Sequence, residues 1–222
     1  MKNHLVNNET VVLIHGLGGT RLDMWPLSRR LKHQGFTPHC WGYFSLGRQI
    51  ETYVSRLLKD LRKIEEDPDV RHFHLVGHSM GSIIVRAAIA QESFSKLRRI
   101  VMLAPPNGGS HVARWLGPRL QWIAPCLSQL SDEEGSYVNQ LSQLETLPNV
   151  QLGIIEAAHD RVIAKECLRL QRQHDYAVVS GQHGILTWYS RTQRLVEQFL
   201  RFGQFENTEG VNKTRKTSTL TQ

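Results

Sequence analysis

His72-Phe-His-Leu-Val-Gly-His-Ser-Met-Gly-Ser82 is the stretch on which the reading of this chain turns. His72 to Val76 is a short apolar run suited to a buried strand, and residues 80 to 92 read as a helix. Between them stands Gly77-x-Ser79-x-Gly81. A serine on so tight a strand-to-helix turn is forced into strained backbone angles, and side chains two positions to either side would collide. Glycine at both positions removes the collision. The Ser79 hydroxyl then projects above the sheet, near the positive end of the following helix, where it can meet a substrate carbonyl. Serine also suits a helix N-cap, a reading that accounts for Ser79 but not for the flanking glycine pair.

Working upstream, Thr10 to Ile14 reads as a fully buried strand that opens into His15-Gly16-Leu17-Gly18-Gly19. A nucleophilic serine needs N–H donors aimed at the charge that develops on the carbonyl oxygen, each contributing about 2.7–4 kcal/mol. A glycine-rich loop lets backbone approach closely enough to serve, so the N–H groups of Leu17 and Met80 are the expected oxyanion donors. The rival reading is a phosphate cradle. Gly16-x-Gly18-Gly19 lacks the spacing of a dinucleotide fingerprint, and no Gly-Lys-Ser/Thr follows it, so no cofactor is expected. His15 and His78, which precede the two glycine motifs, read as structural side chains packed against neighbouring loops.

The rest of the chain alternates short apolar runs with amphipathic stretches, which predicts an α/β fold with a mostly parallel sheet of about six strands flanked by helices. Residues 22 to 34 read as a helix ended by Gly35, and Phe36 to Trp41 as a strand. Ile50, Tyr53, Val54, Leu57, Leu58, Leu61 and Ile64 keep the 3.6-residue helical spacing and stop before Pro68. Ile100 to Ala104 is a strand halted by Pro105-Pro106; Val150 to Ile155 and Tyr176 to Val179 complete the six, and a last helix covers about 185 to 203. At 222 residues the chain makes one domain, residues 1–203. Residues 107–148 break the rhythm and read as a helical insertion, since a structureless loop of that length is unusual. Residues 204–222 read as a disordered polar tail.

Both motifs, in this order and about sixty residues apart, resemble the α/β-hydrolase superfamily, particularly its lipase and serine esterase branch, over roughly residues 10 to 200. The resemblance is to compact members with a trimmed sheet. It implies a serine hydrolase that cleaves a carboxylic ester through an acyl-enzyme, with a triad in the chain order Ser, Asp or Glu, His. Of the histidines after Ser79, His183 in Ser180-Gly-Gln-His-Gly184 follows the last strand, where the base belongs; His174 precedes that strand, and His111 falls in the insertion. Asp160 follows the preceding strand and is the expected acid, with Glu156 as its rival and an Arg161 pair or a capped turn as its plain alternative. The resemblance also gives residues 107–148 the role of a cap or lid, opening on a Pro-Asn-x-Gly-Ser-type turn. Trp115, Trp122, Leu116, Leu120 and Leu127 would there line an acyl pocket or form the cap's own core. The same triad serves acyl transfer or thioester cleavage. Two readings lie outside that chemistry: a binding protein that kept the fold, and a membrane-surface lipid-binding protein with incidental activity.

The bulk composition narrows the partners. A net charge of +7 and a pI near 9.6 attract anionic surfaces. No run of five or six like charges and no aromatic-basic interleaving appear, so no nucleic acid is expected. A small-molecule or lipid ester is the expected substrate, with peripheral contact to an anionic membrane, since no apolar run reaches the roughly 18–20 residues of a spanning helix. Cys40, Cys126 and Cys167 form neither a disulfide framework nor a zinc spacing, which favours a reducing cytoplasm. His159, Asp160, Cys167 and His174 match no common metal site, so no metal is expected.

Overall fold

The computed structural model describes residues 9–141, 150–168, 170 and 173–205. Six strands form one all-parallel sheet: β1 (Glu9–Ile14), β2 (Thr37–Trp41), β3 (His72–His78), β4 (Leu97–Leu103), β5 (Gln151–Ala157) and β6 (Asp175–Val179), in the order β2-β1-β3-β4-β5-β6. Helices α1 (Trp25–His33) and α7 (Ser190–Phe202) cover one face, and α2 (Ile50–Glu66) and α3 (Met80–Gln91) the other.

Strand alternation separates two apolar layers. Val12 and Ile14, with Leu75, Ile100, Met102 and Ile154, pack against Tyr53, Leu57, Ile83 and Ile84. Val11 and Leu13, with Val76, Val101, Leu103 and Ile155, pack against Leu27, Leu31, Val196 and Phe199. A strand buried on both faces reads as a continuous apolar run rather than an alternating one, which is why β1, β3 and β4 stand out in the sequence. Register aligns Ile14 with Gly77 and Gly77 with Met102, so the loops leaving β1, β3 and β4 meet at one edge.

Four boundaries differ from expectation. The stretch before α1 is a 3-10 turn, Arg21–Met24, closed by a capping box in which the Thr20 side chain accepts from the backbone and Asp23 accepts from Thr20 N–H. The last helix starts later because Ile185 leaves helical geometry and Tyr189 is extended; His183–Trp188 is a separate 3-10 segment, fixed where the Thr187 hydroxyl donates to the Asp23 carbonyl at 2.7 Å. The polar tail does not begin at 204. Phe205 is buried on Phe199, with ring centroids 4.9 Å apart, and its N–H donates to Asp175 Oδ2 at 2.5 Å. Residues 206–222 of the expected tail lie outside the described residues.

The fourth difference is the insertion, which is not a body apart. Its helices are α4 (His111–Leu120), α5 (Cys126–Gln129) and α6 (Tyr137–Gln140), and residues 142–148 lie outside the described residues. Ala113, Ala124, Cys126, Leu127, Leu130 and Val138 join the same apolar layer as α2 and α3. Gly47 N–H donates to the Ile123 carbonyl and Ile50 N–H to Gln129 Oε1, each at 2.7 Å, tying the insertion to the connection between β2 and α2. Among the described residues no helix is long and apolar enough to cross a membrane.

Candidate active site

Ser79 sits between β3 and α3 with φ 53° and ψ −123°, outside the region L-residues prefer. Such a conformation costs about 1–3 kcal/mol and persists only where the surroundings over-determine it. Here they do. The Ser79 N–H donates to the Leu103 carbonyl at 2.9 Å. A Cβ on Gly77 would stand 2.6 Å from Ser82 Cα, and one on Gly81 2.5 Å from the Ile14 carbonyl oxygen. Both glycines are therefore demanded by close backbone approach. Ser79 makes no side-chain cap to α3, which disposes of the N-cap reading.

The hydroxyl turns instead to His183, whose Nε2 lies 2.9 Å from Ser79 Oγ. His183 Nδ1 lies 2.7 Å from Asp160 Oδ2. A carboxylate only accepts, so Nδ1 carries the proton and Nε2 is left to accept from the serine hydroxyl. Asp160 Oδ1 is fixed separately by the N–H groups of Val162 and Ile163, at 2.8 and 2.9 Å. Asp160 thus caps its own turn and reaches His183 at the same time. Burial would raise the Asp160 carboxyl, but the hydrogen bond and charge of His183, with the two amides, outweigh it and hold the group below the ordinary carboxylate range. Glu156, the rival acid, is buried on β5 and lies 3.7 Å from Lys165 Nζ.

The loop after β1 closes over the serine from the other side. A Cβ on Gly16 would stand 3.0 Å from Ser79 Cβ, so only bare backbone fits there. Gly19 N–H turns back to the Gly16 carbonyl at 3.2 Å, and Gly18 N–H donates to Ser45 Oγ at 2.9 Å. The N–H of Leu17 lies between those two turns, and that of Met80 is the first amide of α3, where no intrahelical acceptor exists. His15 packs beneath this loop. Its ring stacks on Tyr43 with centroids 4.3 Å apart, its Nδ1–H donates to the Gly16 carbonyl at 2.9 Å, and the Tyr43 hydroxyl donates to the His15 carbonyl at 2.8 Å.

His78 holds the opposite wall. Its Nε2–H donates to the His183 carbonyl at 2.9 Å. Burial, helped by the charge His183 can carry, pushes the His78 imidazole down to about 4, so the ring is a neutral donor.

A further set of residues, passed over in the sequence, supports the acid loop. Arg86 is buried and donates from Nη1 to the Asn107 carbonyl and to Asn107 Oδ1, at 3.0 and 2.9 Å. Asn107 Nδ2 then donates to the Leu168 carbonyl at 2.7 Å, Gly108 N–H to the Cys167 carbonyl at 2.7 Å, and the Ser110 hydroxyl to the Val162 carbonyl at 2.7 Å. The signal was present: one arginine in the otherwise apolar Ile83-Ile84-Val85-Arg86-Ala87-Ala88 face of a buried helix.

Trp115 and Trp122 are not drawn into this site. They stand 62% and 80% exposed, so neither forms the insertion's own core nor is enclosed in a pocket; that core is built from Leu127 and smaller residues, with Leu116 and Leu120 half-buried beside it. Arg119 lies over the Trp115 ring, 4.6 Å from its centroid. His111 is exposed at the start of α4. Among the described residues no three histidine, cysteine or carboxylate side chains gather as a metal site.

The model of the Alpha/beta hydrolase family matches residues 11–200. No curated protein matches the chain by sequence. Among solved structures, phospholipase PlaB from Legionella pneumophila is similar with a TM-score of 0.74 at 15% identity, covering 90% of this chain and 60% of its own. The chain thus spans about three fifths of that phospholipase. Mature lipase BlEst2 from Bacillus licheniformis gives 0.66 at 15% identity, covering 87% and 91%. Est1E from Butyrivibrio proteoclasticus, solved with ferulic acid bound, gives 0.65 at 15% identity, covering 90% and 89%. At such identities the likeness is one of fold.

Proposed function

We propose that this chain, which belongs to the Alpha/beta hydrolase family, hydrolyses carboxylic esters through an acyl-enzyme on Ser79. The observation that carries the reading is the unbroken link from a strained serine through His183 to Asp160, at 2.9 and 2.7 Å. A helix N-cap needs neither the positive φ nor the imidazole.

In this reading His183 Nε2 takes the hydroxyl proton as Ser79 Oγ bonds to the ester carbonyl carbon. The carbonyl electrons move onto oxygen, which the N–H groups of Leu17 and Met80 receive. His183 then gives its Nε2 proton to the departing alkoxide, and the C–O bond breaks to leave alcohol and acyl-serine. Water repeats the sequence, activated by the same nitrogen, and releases the acid. Asp160 stays ionised throughout, held low by its partners, and stabilises the transient imidazolium. An acyl acceptor other than water would make the same site a transferase, and a thioester would leave as thiol.

A lipid ester is the substrate class that the basic charge and the exposed aromatics of the insertion favour. Labelling with a fluorophosphonate probe tests the nucleophile: the parent labels and Ser79→Ala does not. An unlabelled parent, or equal labelling of both, sinks the mechanism. A chain-length series of nitrophenyl esters then separates a lipase from a short-chain esterase.

A further inference from the structure

Nine large apolar side chains stand exposed among the described residues, and eight of them follow the carboxyl-terminal ends of strands. Trp25 follows β1, Phe44 follows β2, Trp115 and Trp122 follow β4, and Ile185 and Trp188 follow β6. Only Phe202, at the far end of α7, lies elsewhere. A random scatter of surface hydrophobics would need no explanation; a one-sided set of this size does.

Hydrogen bonds join these segments into one rim around Ser79. Gly47 N–H to the Ile123 carbonyl ties the Phe44 loop to Trp122 and its neighbour. Gly18 N–H to Ser45 Oγ ties the Phe44 loop to the loop after β1. Thr187 Oγ to the Asp23 carbonyl ties that loop, and hence Trp25, to the Trp188 segment. The last segment carries His183, which reaches Ser79.

The same loops carry cations without carboxylate partners. Arg21, Arg29, Arg48, Arg119 and Arg161 are exposed and enter no ion pair among the described residues. Arg29 lies over the Trp25 ring at 5.6 Å and Arg119 over the Trp115 ring at 4.6 Å, each one helical turn after its tryptophan. The carboxylates nearby are largely engaged: Asp23 by Thr20 N–H, Asp132 by Arg114, Asp160 by His183. Glu51 and Glu133 accept only from Gln129 and Ser131, and Glu134 and Glu166 enter no ion pair among the described residues.

We propose that this rim is a docking surface for an anionic lipid bilayer, with the tryptophans seated at headgroup depth and the free arginines on lipid phosphates. Tryptophan favours the membrane–water boundary because one ring offers both an apolar body and an N–H. Arginine beside that ring covers apolar surface with its stem; Arg119 also donates from Nη1 to the Trp115 carbonyl at 2.5 Å, which leaves its other N–H groups for a phosphate. A peripheral protein of this kind holds to the membrane by shallow apolar burial and by attraction to anionic headgroups together. Docking on this rim sets the Ser79 opening against the bilayer, so an ester reaches it without first entering water. That purpose rests on the hydrolase reading; the docking itself does not.

The test separates the two by using Ser79→Ala, which binds without chemistry. Its sedimentation is measured with vesicles of phosphatidylcholine alone and of equal parts phosphatidylcholine and phosphatidylglycerol. Binding is expected to the mixed vesicles, at least about tenfold weaker to the neutral ones, and reversed by salt. Adding Trp25→Ser is expected to weaken binding about tenfold, and Arg29→Gln about fivefold. Phe202→Ser, the exposed aromatic on the far side, is expected to leave it unchanged. Equal binding to both vesicles, no binding to either, or a Phe202→Ser loss matching that of Trp25→Ser overturns the proposal. The parent assayed on a soluble nitrophenyl ester reads the hydrolase separately: Trp25→Ser leaves that turnover intact, and a parent without turnover sinks the chemistry while leaving vesicle binding to be judged alone.

Discussion

At the carboxyl-terminal edge of the sheet, Ser79 and Ala104 hold φ of 53° and 44°, the only non-glycine residues of positive φ among those described. At the amino-terminal edge, where the same strands begin, the carboxylates are engaged: Glu9 accepts from His74 at 3.1 Å and lies 3.6 Å from Arg98, Arg62 pairs with Glu92 at 2.6 Å, and Glu65 accepts from Ser95. One edge stores strain and exposes aromatics; the other pairs its ions. The cause is directional. In a parallel sheet with crossover helices, helix N-termini and strand C-termini gather at one edge, where unbonded N–H groups are available for a substrate. Strain concentrates there, with the chemistry proposed for Ser79, and the opposite edge is left to hold the fold.

The comparison breaks most sharply at Ser79. On the proposed mechanism, Ser79→Ala and Ser79→Gly both lower kcat by about ten-thousandfold or more, as removal of a nucleophile does. They part in stability. Glycine tolerates φ 53° and alanine does not, so Ser79→Gly should unfold about 1–2 kcal/mol later than Ser79→Ala in urea. Equal stability of the two would mean that the elbow stores no strain.

Two buried arginines sharpen it next. Arg86 donates to a carbonyl and an amide oxygen of Asn107 at the reactive edge; Arg99 donates to the Leu200 carbonyl at 2.6 Å and to Gln151 Oε1 at 2.7 Å at the other. Arg86→Met strands two buried acceptors and should cost about 2 kcal/mol in denaturant titration, while Arg99→Met strands the buried Leu200 carbonyl but leaves the exposed Gln151 to water and should cost about 1–2 kcal/mol. Only Arg86→Met should also lower kcat, by about tenfold, because Asn107 and its turn hold the carbonyls of Val162, Cys167 and Leu168 in the segment that follows Asp160. Arg99→Met falling in kcat as far would remove the distinction between the edges.

What the sequence made legible follows the same division. β1, β3, β4 and β5 were readable because burial on both faces makes each an apolar run, whereas β2, part-exposed along Thr37 to Cys40, was readable only from its place in the alternation. The elbow was readable from its glycine pair, although only Gly77 is dictated by near neighbours; Gly81 answers to the Ile14 carbonyl on another strand. The serine, imidazole and carboxylate candidates could be ordered along the chain because the family resemblance implies that order, and each candidate follows a strand. Less legible was whatever depends on long-range fit. Whether Glu156 or Asp160 faces His183 is decided by a turn that Val162 and Ile163 amides fix. The role of Arg86 needs Asn107, twenty-one positions on. The start of α7 depends on Thr187 finding Asp23 across the molecule, and the burial of Phe205 on Phe199 packing. Trp115 and Trp122 show the limit plainly: an apolar residue in an insertion reads alike whether it faces a core, a pocket or the outside.

The smallest expected effect compares two buried histidines, one at each edge. His78 is held neutral down to about 4, against an ordinary value near 6.5, so the unfolded chain binds a proton that the folded one refuses across that window. Its contribution to stability is complete above the upper value and is lost as pH falls toward the lower, about 2 kcal/mol between pH 7 and pH 5. His78→Gln keeps an amide donor for the His183 carbonyl and removes the titration, so its urea stability should fall less over that range. Burial also lowers His74, but Glu9 at 3.1 Å pulls it back through hydrogen bond and charge, with Arg98 and Arg99 opposing Glu9 from the same side. His74→Gln should therefore flatten the pH dependence less than His78→Gln does. The reverse order would place the more costly neutral imidazole at the ion-paired edge, and the contrast in how the two edges treat charge would fall with it.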